Sequence, residues 1–494
     1  MRFARLLALV SAAGLAPAAR ADVLPHPIFT DHMVLQRGGT CPVWGLADPG
    51  EKVEVMVAGG KDKAGTTAVA AVADDKGNWK VGVAALPTGT GYTLTVKGKN
   101  TVEFKNVAFG DVWVCSGQSN MEWSINASWD AEKYKAAATN KQVRLFTVAQ
   151  RTSPTPLADQ KDLKHFSGWA ESSPANVGGF SAVAYHFGQH LQKNLPDNVP
   201  VGLIHTSWGG TPAQAWASTE AMAAVPELKY YADAAKAAKG QVGPGTPASL
   251  YNAMIHPLLP FAIKGAIWYQ GESNAGKAAE YRTLFPTMIR DWRAKWGQDF
   301  PFLCVQLAPW HANDADGVSW AELREAQLLA TQTLPKVGMA VITDVGDLFD
   351  IHPKDKFTVG TRLGLYARGM VYDQKIVYSG PVYKSMTVEG DKAVLSFDHV
   401  GGGLGGRYGT LNGFEICGKD HVFRPARAQV KGETVVVSAP GLDAPVAVRF
   451  GWKNYPVVNL FNMREDKKGV ALPATPFRTD DFPLTTAPQP AAKK

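Results

Sequence analysis

Four short stretches hold residues whose types and spacing suit acyl transfer. The first, residues 110–124, reads Gly-Asp-Val-Trp-Val-Cys-Ser-Gly-Gln-Ser-Asn-Met-Glu-Trp-Ser. Its apolar run 112–115 has the length and β-rich composition of a buried strand and stops at small polar residues that suit a tight turn. An open α/β sheet presents a nucleophile in such a turn, at the carboxyl edge of a strand. Ser119 is therefore the candidate nucleophile. A serine hydroxyl attacks poorly until a base takes its proton, and a neutral imidazole near pH 7 is matched to that task. His352, in Asp350-Ile-His-Pro353, is the candidate base. In His205-Thr-Ser-Trp-Gly-Gly-Thr211, the adjacent Gly209 and Gly210 let backbone amides approach a ligand with no Cβ in the way. Gln270-Gly-Glu-Ser-Asn274 is small and amide-rich, and Gln270 or Asn274 would add a donor. A tetrahedral intermediate needs two or three such donors, and nothing in the set requires a metal or an organic cofactor.

Each stretch alone has a structural explanation as a helix cap or a turn. Their placement after successive strand-like runs gives the set its weight. From about 108 to 375, runs at 112–115, 201–204, 265–269, 302–306 and 339–342 alternate with helix-like segments at 182–195, 281–296 and 320–334. That alternation predicts a mostly parallel sheet covered on both faces, whose strand ends share one crevice.

The flanks differ in character. Residues 22–107 carry short alternating runs separated by turn clusters such as Asp48-Pro-Gly50, as expected of a small antiparallel sandwich. The β pattern returns over 376–482 as a second sandwich, and 483–494 reads as a disordered tail. Residues 1–21 have the basic start, short apolar run and Ala19-Arg-Ala21 site of an export signal. They imply a periplasmic or extracellular protein. No stretch reaches the roughly 18 apolar residues of a membrane span. The full chain carries a formal charge of +7. Removing Arg2, Arg5 and Arg20 leaves +4, too mild and too evenly spread for a nucleic-acid partner. Cys41, Cys115, Cys304 and Cys417 lie far apart with no C-x-x-C pair, which argues against zinc and leaves disulfide pairing and oligomeric state open.

Taken together, Gly117-Gln-Ser-Asn-Met121, His205–Thr211, Trp268-Tyr-Gln-Gly-Glu-Ser-Asn274 and Asp350-Ile-His-Pro353 resemble the sialate O-acetylesterase family. That family lies within the SGNH/GDSL hydrolases, a class that also holds related carbohydrate acetylesterases. The likeness extends to Pro42-Val-Trp44 before the motifs and to Gly413-Phe-Glu-Ile416 and Pro476-Phe-Arg478 after them. It implies a central SGNH (flavodoxin-like) three-layer α/β/α domain over 108–375, flanked by the two sandwiches. It implies a cofactor-independent serine esterase acting on O-acetylated carbohydrate, with Ser119 as nucleophile and His352 as base. Oxyanion or substrate contacts would come from the Ser119 amide, Gly209 or Gly210, Gln270, Glu272 and Asn274. The class usually sets an aspartate three residues before the histidine. Here that position is Phe349, so Asp350 is the choice for the third member, with Asp347, Asp344 or a backbone carbonyl as alternatives. The sugar stays open between sialate and xylan- or xyloglucan-type glycans, beside the alternative of a non-catalytic carbohydrate-binding protein. A sialate carboxylate asks for an arginine at the crevice, for which Arg282, Arg362 and Arg407 are candidates. Trp123, Trp208, Trp268 and Trp310 are candidate sugar-stacking walls. Reading Glu272 as half of a glycosidase pair would need Glu322 or Asp344 as its partner.

Overall fold

The computed structural model describes residues 22–60, 65–158, 163–312, 314–465 and 470–487. The expected export signal, 1–21, lies outside them. Strands β1 (Thr101–Gly117), β2 (Val143–Thr147), β3 (Val201–Ser207), β4 (Gly265–Tyr269), β5 (Phe302–Val305) and β6 (Val337–Ala340) form a sheet in the order β2-β3-β1-β4-β5-β6. All five of these pairings are parallel. The chain leaves β1 toward one side and later returns to fill the other. That makes the carboxyl end of β1 the point where a ligand crevice opens.

The sheet is buried on both faces because its strands are apolar throughout rather than alternating. Val112 and Val114 of β1 share a core with Leu284 and Trp292 of α3 (Ala278–Trp296) and Leu323 of α4 (Ser319–Thr333). Trp113 and Cys115 point the other way, into a core with Phe187 of α2 (Ala182–Asn194) and Val359 and Leu363 of α5 (Lys356–Tyr366). Helix α1 (Ser119–Glu122) is a single turn at the tip of β1. Ser181 and Asp355 cap α2 and α5, accepting from the amides of Ala184 and Thr358 at 3.1 and 3.0 Å. Each cap satisfies one of the donors that open a helix.

The N-terminal strands alternate as expected: in Lys52–Gly59, Val53, Val55 and Val57 are buried while Lys52, Glu54 and Met56 are exposed. This strand pairs with Gly65–Val72 and Gly89–Lys97, and the latter pairs with the first half of β1. Strand β1 therefore runs unbroken past residue 107, and Lys52–Gly59, Gly65–Val72 and Gly89–Lys97 are hydrogen-bonded into the sheet that carries the serine, while Thr40–Leu46 and Asn78–Ala84 pair in a separate one. Their valines join the same buried cluster as Leu284 and Trp292.

Beyond residue 380 the strands are antiparallel. Four of them, Val382–Glu389, Lys392–Asp398, Thr434–Ser438 and Arg427–Lys431, make one sheet. Phe414–Cys417 and Ala447–Phe450 lie at the centre of another. Leu395, Val435, Ile416 and Phe450 fill the core between them.

Part of the stretch expected to be a disordered tail has a defined seat. Leu484 packs on Trp452 and Ala321. The Thr485 and Thr486 amides donate to the Glu322 carboxylate at 2.7 and 3.0 Å. Residues 488–494 lie outside the described residues. The four cysteines are buried free thiols, and no helix among the described residues is long and apolar enough to cross a membrane.

Candidate active site

Strands β3, β1 and β4 end level with one another, Gly117 standing between Ser207 and Tyr269. Gly117 has φ +142°, and a Cβ there would sit 2.1 Å from the Tyr269 carbonyl oxygen, so only glycine fits. The chain turns immediately: the Gln118 amide donates to the Tyr269 carbonyl at 3.0 Å, and the Trp208 amide donates to the Gly117 carbonyl at 3.2 Å. The Gln118 side chain accepts from the Ser273 amide at 3.2 Å, which fixes the 271–274 turn beside the serine. Helix α1 opens at Ser119, where the first amides have no intrahelical acceptor.

Ser119 Oγ lies 2.9 Å from His352 Nε2. The histidine arrives on the loop between β6 and α5, and its ring stacks on Trp123 with centroids 4.7 Å apart and planes at 18°. Behind the pair, Asn120 ties three segments together. Its Nδ2 donates to Glu272 Oε1 at 2.6 Å and to the Ile351 carbonyl at 3.0 Å, and its Oδ1 accepts from Lys356 Nζ at 2.5 Å. The nucleophile turn and the histidine loop are thus held by one amide side chain.

Of the three aspartates considered for the histidine, Asp350 is the one beside it. Its Oδ1 lies 3.6 Å from His352 Nδ1, beyond hydrogen-bond length, and accepts instead from the His352 backbone amide at 2.8 Å. Asp347 Oδ1 accepts from the Phe349 and Asp350 amides. Asp344 forms a bidentate pair with Arg362 at 2.6 and 2.8 Å.

Burial sets the electrostatics. Lys356 is fully buried and its amine is pushed down to about 7 by desolvation, against the opposing pull of Glu272 and Asp350. Burial raises the Glu272 carboxyl, and its Oε2 has no partner among the described residues. The His352 imidazole is lowered, first by burial and then by Lys356, with Asp350 acting the other way. A lowered histidine is neutral and able to accept a proton at pH values where an ordinary one is half charged. Activity that needs neutral His352 falls as pH drops through its pKa, so the acid limb of kcat/KM is expected below pH 6.5, the model-peptide value. Lys356→Met removes a charge that disfavours imidazolium, so that limb should move to higher pH. A pH–rate profile of both proteins checks it, and an unmoved limb would count against the Lys356 contribution.

Two crevices meet at the serine. One, of about 720 Å³, is lined by Ser119, Gly210, Glu272, Trp310, Trp320 and His352. The other, of about 660 Å³, has Ser119 and His352 in common with it and continues along Trp123, Gln150, His205 and Ser207. Gly209, Gly210 and Glu272 are thus brought to Ser119 and His352 as expected from their motifs. The Gly209 amide is engaged, donating to Glu122 Oε2 at 2.6 Å, whereas Gly210, at φ +72°, has open space where a Cβ would be.

Gln270 and Asn274 line neither crevice. Gln270 is fully buried: its Nε2 donates to Asn274 Oδ1 at 2.7 Å and its Oε1 accepts from the Tyr281 hydroxyl at 2.9 Å. Asn274 Oδ1 also accepts from the Ala213 amide at 2.9 Å, and its Nδ2 donates to Gln214. Both amides are spent bracing the turn from behind. Trp268 likewise is core, packed edge-on to Trp216 and Trp292, and Trp208 lines neither crevice, whereas Trp123 and Trp310 do. No glycosidase pair forms, because Glu322 holds the Thr485–Thr486 amides and Asp344 holds Arg362.

Asn120 and Lys356 were not singled out from sequence. Asn120 stands next to the serine and Lys356 four residues after the histidine, and the only available signal was a lysine opening an apolar helix. Among the described residues no group of three His, Cys, Asp or Glu is placed to hold a metal ion.

A family profile described as a carbohydrate esterase, sialic acid-specific acetylesterase, matches residues 109–363. The sialate O-acetylesterase of Mus musculus is 30% identical over 485 residues, covering 86% of this chain and 88% of that protein. The Homo sapiens enzyme of the same name is 31% identical, covering 87% of each. Among solved structures, a carbohydrate acetylesterase from Xanthomonas citri superposes with a TM-score of 0.83 at 40% identity, over 93% of this chain and all of that one.

Proposed function

Because the chain belongs to the carbohydrate esterase family of sialic acid-specific acetylesterases, we propose that Ser119 and His352 carry out its ester hydrolysis through an acetyl-enzyme. The protein is a carboxylic ester hydrolase that removes O-acetyl groups from carbohydrate. The reading rests on one observation, the 2.9 Å contact between Ser119 Oγ and His352 Nε2 at the floor of an open crevice.

His352 Nε2 takes the Ser119 proton as Oγ attacks the acetyl carbonyl. The developing oxyanion is met by the Ser119 and Gly210 amides, each such donor contributing roughly 2.7–4 kcal/mol. His352 returns the proton to the departing sugar oxygen. A water then loses its proton to His352 and attacks the acetyl-serine, releasing acetate and restoring the hydroxyl. Glu272, on the crevice wall, accepts from Asn120 Nδ2 at 2.6 Å and so ties the 271–274 turn to the nucleophile turn. A rapid-quench digest should find the mass of one acetyl group on the Ser119 peptide. Its absence under pre-steady-state conditions would overturn the covalent route.

Asp350 acts in this scheme as a nearby negative charge and not as a hydrogen-bonded third member. Asp350→Asn is therefore expected to lower kcat/KM by about tenfold or less, far short of the roughly 10⁴-fold loss seen when a bonded triad aspartate is replaced. Steady-state kinetics decides it, and a loss near that larger figure would restore a full triad. The division into an SGNH domain with two flanking β-sandwiches, and export directed by residues 1–21, belong to the same proposal.

A further inference from the structure

One wall of the first crevice comes from the far end of the chain. Thr485 and Thr486 stand on the same lining as Ser119 and His352. The route there starts at Phe477–Arg478, which pairs with Ala447–Phe450. Helix α4 then holds the chain at two successive turns. Glu325 accepts from Arg478 Nε at 2.7 Å, and Arg478 Nη1 donates onward to the Phe482 carbonyl at 2.6 Å. Three residues earlier, Glu322 accepts from the Thr485 amide, the Thr486 amide and the Thr486 hydroxyl, the last at 2.5 Å. The Glu322 side chain is buried, and among the described residues these are its hydrogen-bond partners and no arginine or lysine pairs with it. Vacating the seat would leave a buried carboxylate unpaired. Thr486 Oγ1 also accepts from the Ala279 amide at 3.0 Å, near the start of α3. Leu484 fills the joint between Trp452 and Ala321, and the Ala487 amide closes the turn onto the Leu484 carbonyl at 3.2 Å.

We propose that residues 484–487 form a fixed wall that sets how large a group the first crevice admits beside the reacting ester. The proposal rests on the esterase reading above and adds to it a specificity-determining segment outside the catalytic sheet. The wall is held by a carboxylate on α4 and an apolar joint, with no bond to the nucleophile turn or the histidine loop. Unseating it therefore widens the crevice and leaves the Ser119–His352 pair in place. Thr485 is exposed on the lining, so side-chain volume added there narrows the same space. A binding wall of this kind discriminates by the methylenes it accommodates or refuses.

The test keeps the full chain and varies the seat. Leu484→Asp puts a charge on the Trp452–Ala321 joint, Glu322→Ala removes the acceptor, and Thr485→Trp thickens the wall. Digestion with carboxypeptidase Y, followed by intact mass, reads the seat directly. Trimming should stop at or before Ala487 in wild type and pass position 484 in the first two variants. Rates are then compared for 4-nitrophenyl acetate and butyrate, which differ in the acyl group, and for acetylated xylose and xylotriose, which differ in the sugar. In the two unseated variants kcat/KM on 4-nitrophenyl acetate should stay within about threefold of wild type. The larger member of at least one pair should gain about fivefold or more over the smaller when the seat is lost, and should lose ground in Thr485→Trp. Ratios unchanged in a variant whose tail is trimmed overturn the wall, and a wild-type tail trimmed as readily as the variants' overturns the seat. Glu322→Ala and Thr485→Trp decide the matter if Leu484→Asp does not fold. If wild type leaves 4-nitrophenyl acetate intact, the esterase reading fails and takes the wall's role with it, whereas trimming still reads the seat.

Discussion

Ser119→Ala is expected to lower kcat for acetate release by about 10⁴-fold or more while leaving KM close to its wild-type value. The hydroxyl is the one group that forms a bond to the acetyl carbon, and the methyl that replaces it leaves the crevice walls in place. His352→Ala should cost nearly as much, because without a base at 2.9 Å the serine stays protonated. The double variant should be no worse than the worse single one, since two residues that work as a unit are not additive. Initial rates with 4-nitrophenyl acetate, and binding of a non-hydrolysable glycan to check the fold, measure all three. More than about a tenth of wild-type kcat in Ser119→Ala would place the nucleophile elsewhere, and additive losses would separate the serine from the histidine.

Gly117→Ala should remove activity by a different route. The new methyl would stand 2.1 Å from the Tyr269 carbonyl oxygen, at φ +142° where L side chains are strained. Neither side can yield easily, because Tyr269 ends a fully buried strand and its carbonyl already accepts from the Gln118 amide. The expected loss is about 2–6 kcal/mol of stability, overpacking and the strained φ contributing roughly 1–3 kcal/mol each. Surviving folded protein should have its serine turn displaced. Denaturant unfolding measures the first effect and kcat/KM of the folded fraction the second. A variant within about 1 kcal/mol of wild type would mean the turn relaxes far more readily than its hydrogen bonds suggest.

Much of this site could be read from residue order alone. The runs at 112–115, 201–204 and 265–269 are strands whose ends align, so Ser119, Gly210 and Glu272 follow them to one place, and His352 joins from the loop after β6. Helices foreseen at 182–195, 281–296 and 320–334 lie within two or three residues of α2, α3 and α4, since their apolar periodicity is long and unambiguous. What sequence did not separate is which polar residue faces the crevice and which faces away. Gln270 and Asn274 sit in the same amide-rich turn as Glu272, yet the pair is consumed by Tyr281, Ala213 and Gln214. Ala213 and Gln214 lie 61 and 60 residues from Asn274, and Tyr281 reaches Gln270 from the helix after the turn, so no local spacing rule exposes them. The same holds for Asn120 and Lys356, whose contact spans 236 residues. The seat of residues 484–487 escaped for a like reason: a proline-rich polar stretch has no pattern of its own, and its order comes from Glu322 on a remote helix.

Strand β1 is 17 residues long. Its first half completes the N-terminal antiparallel strands and its last residue precedes the nucleophile turn. No linker lies between the two, so a denaturant or a pulling force acting on the N-terminal strands has nothing compliant to stretch before it reaches Ser119. The N-terminal strands and the catalytic sheet should therefore melt as one cooperative unit, with loss of N-terminal structure and loss of the active serine following a single curve.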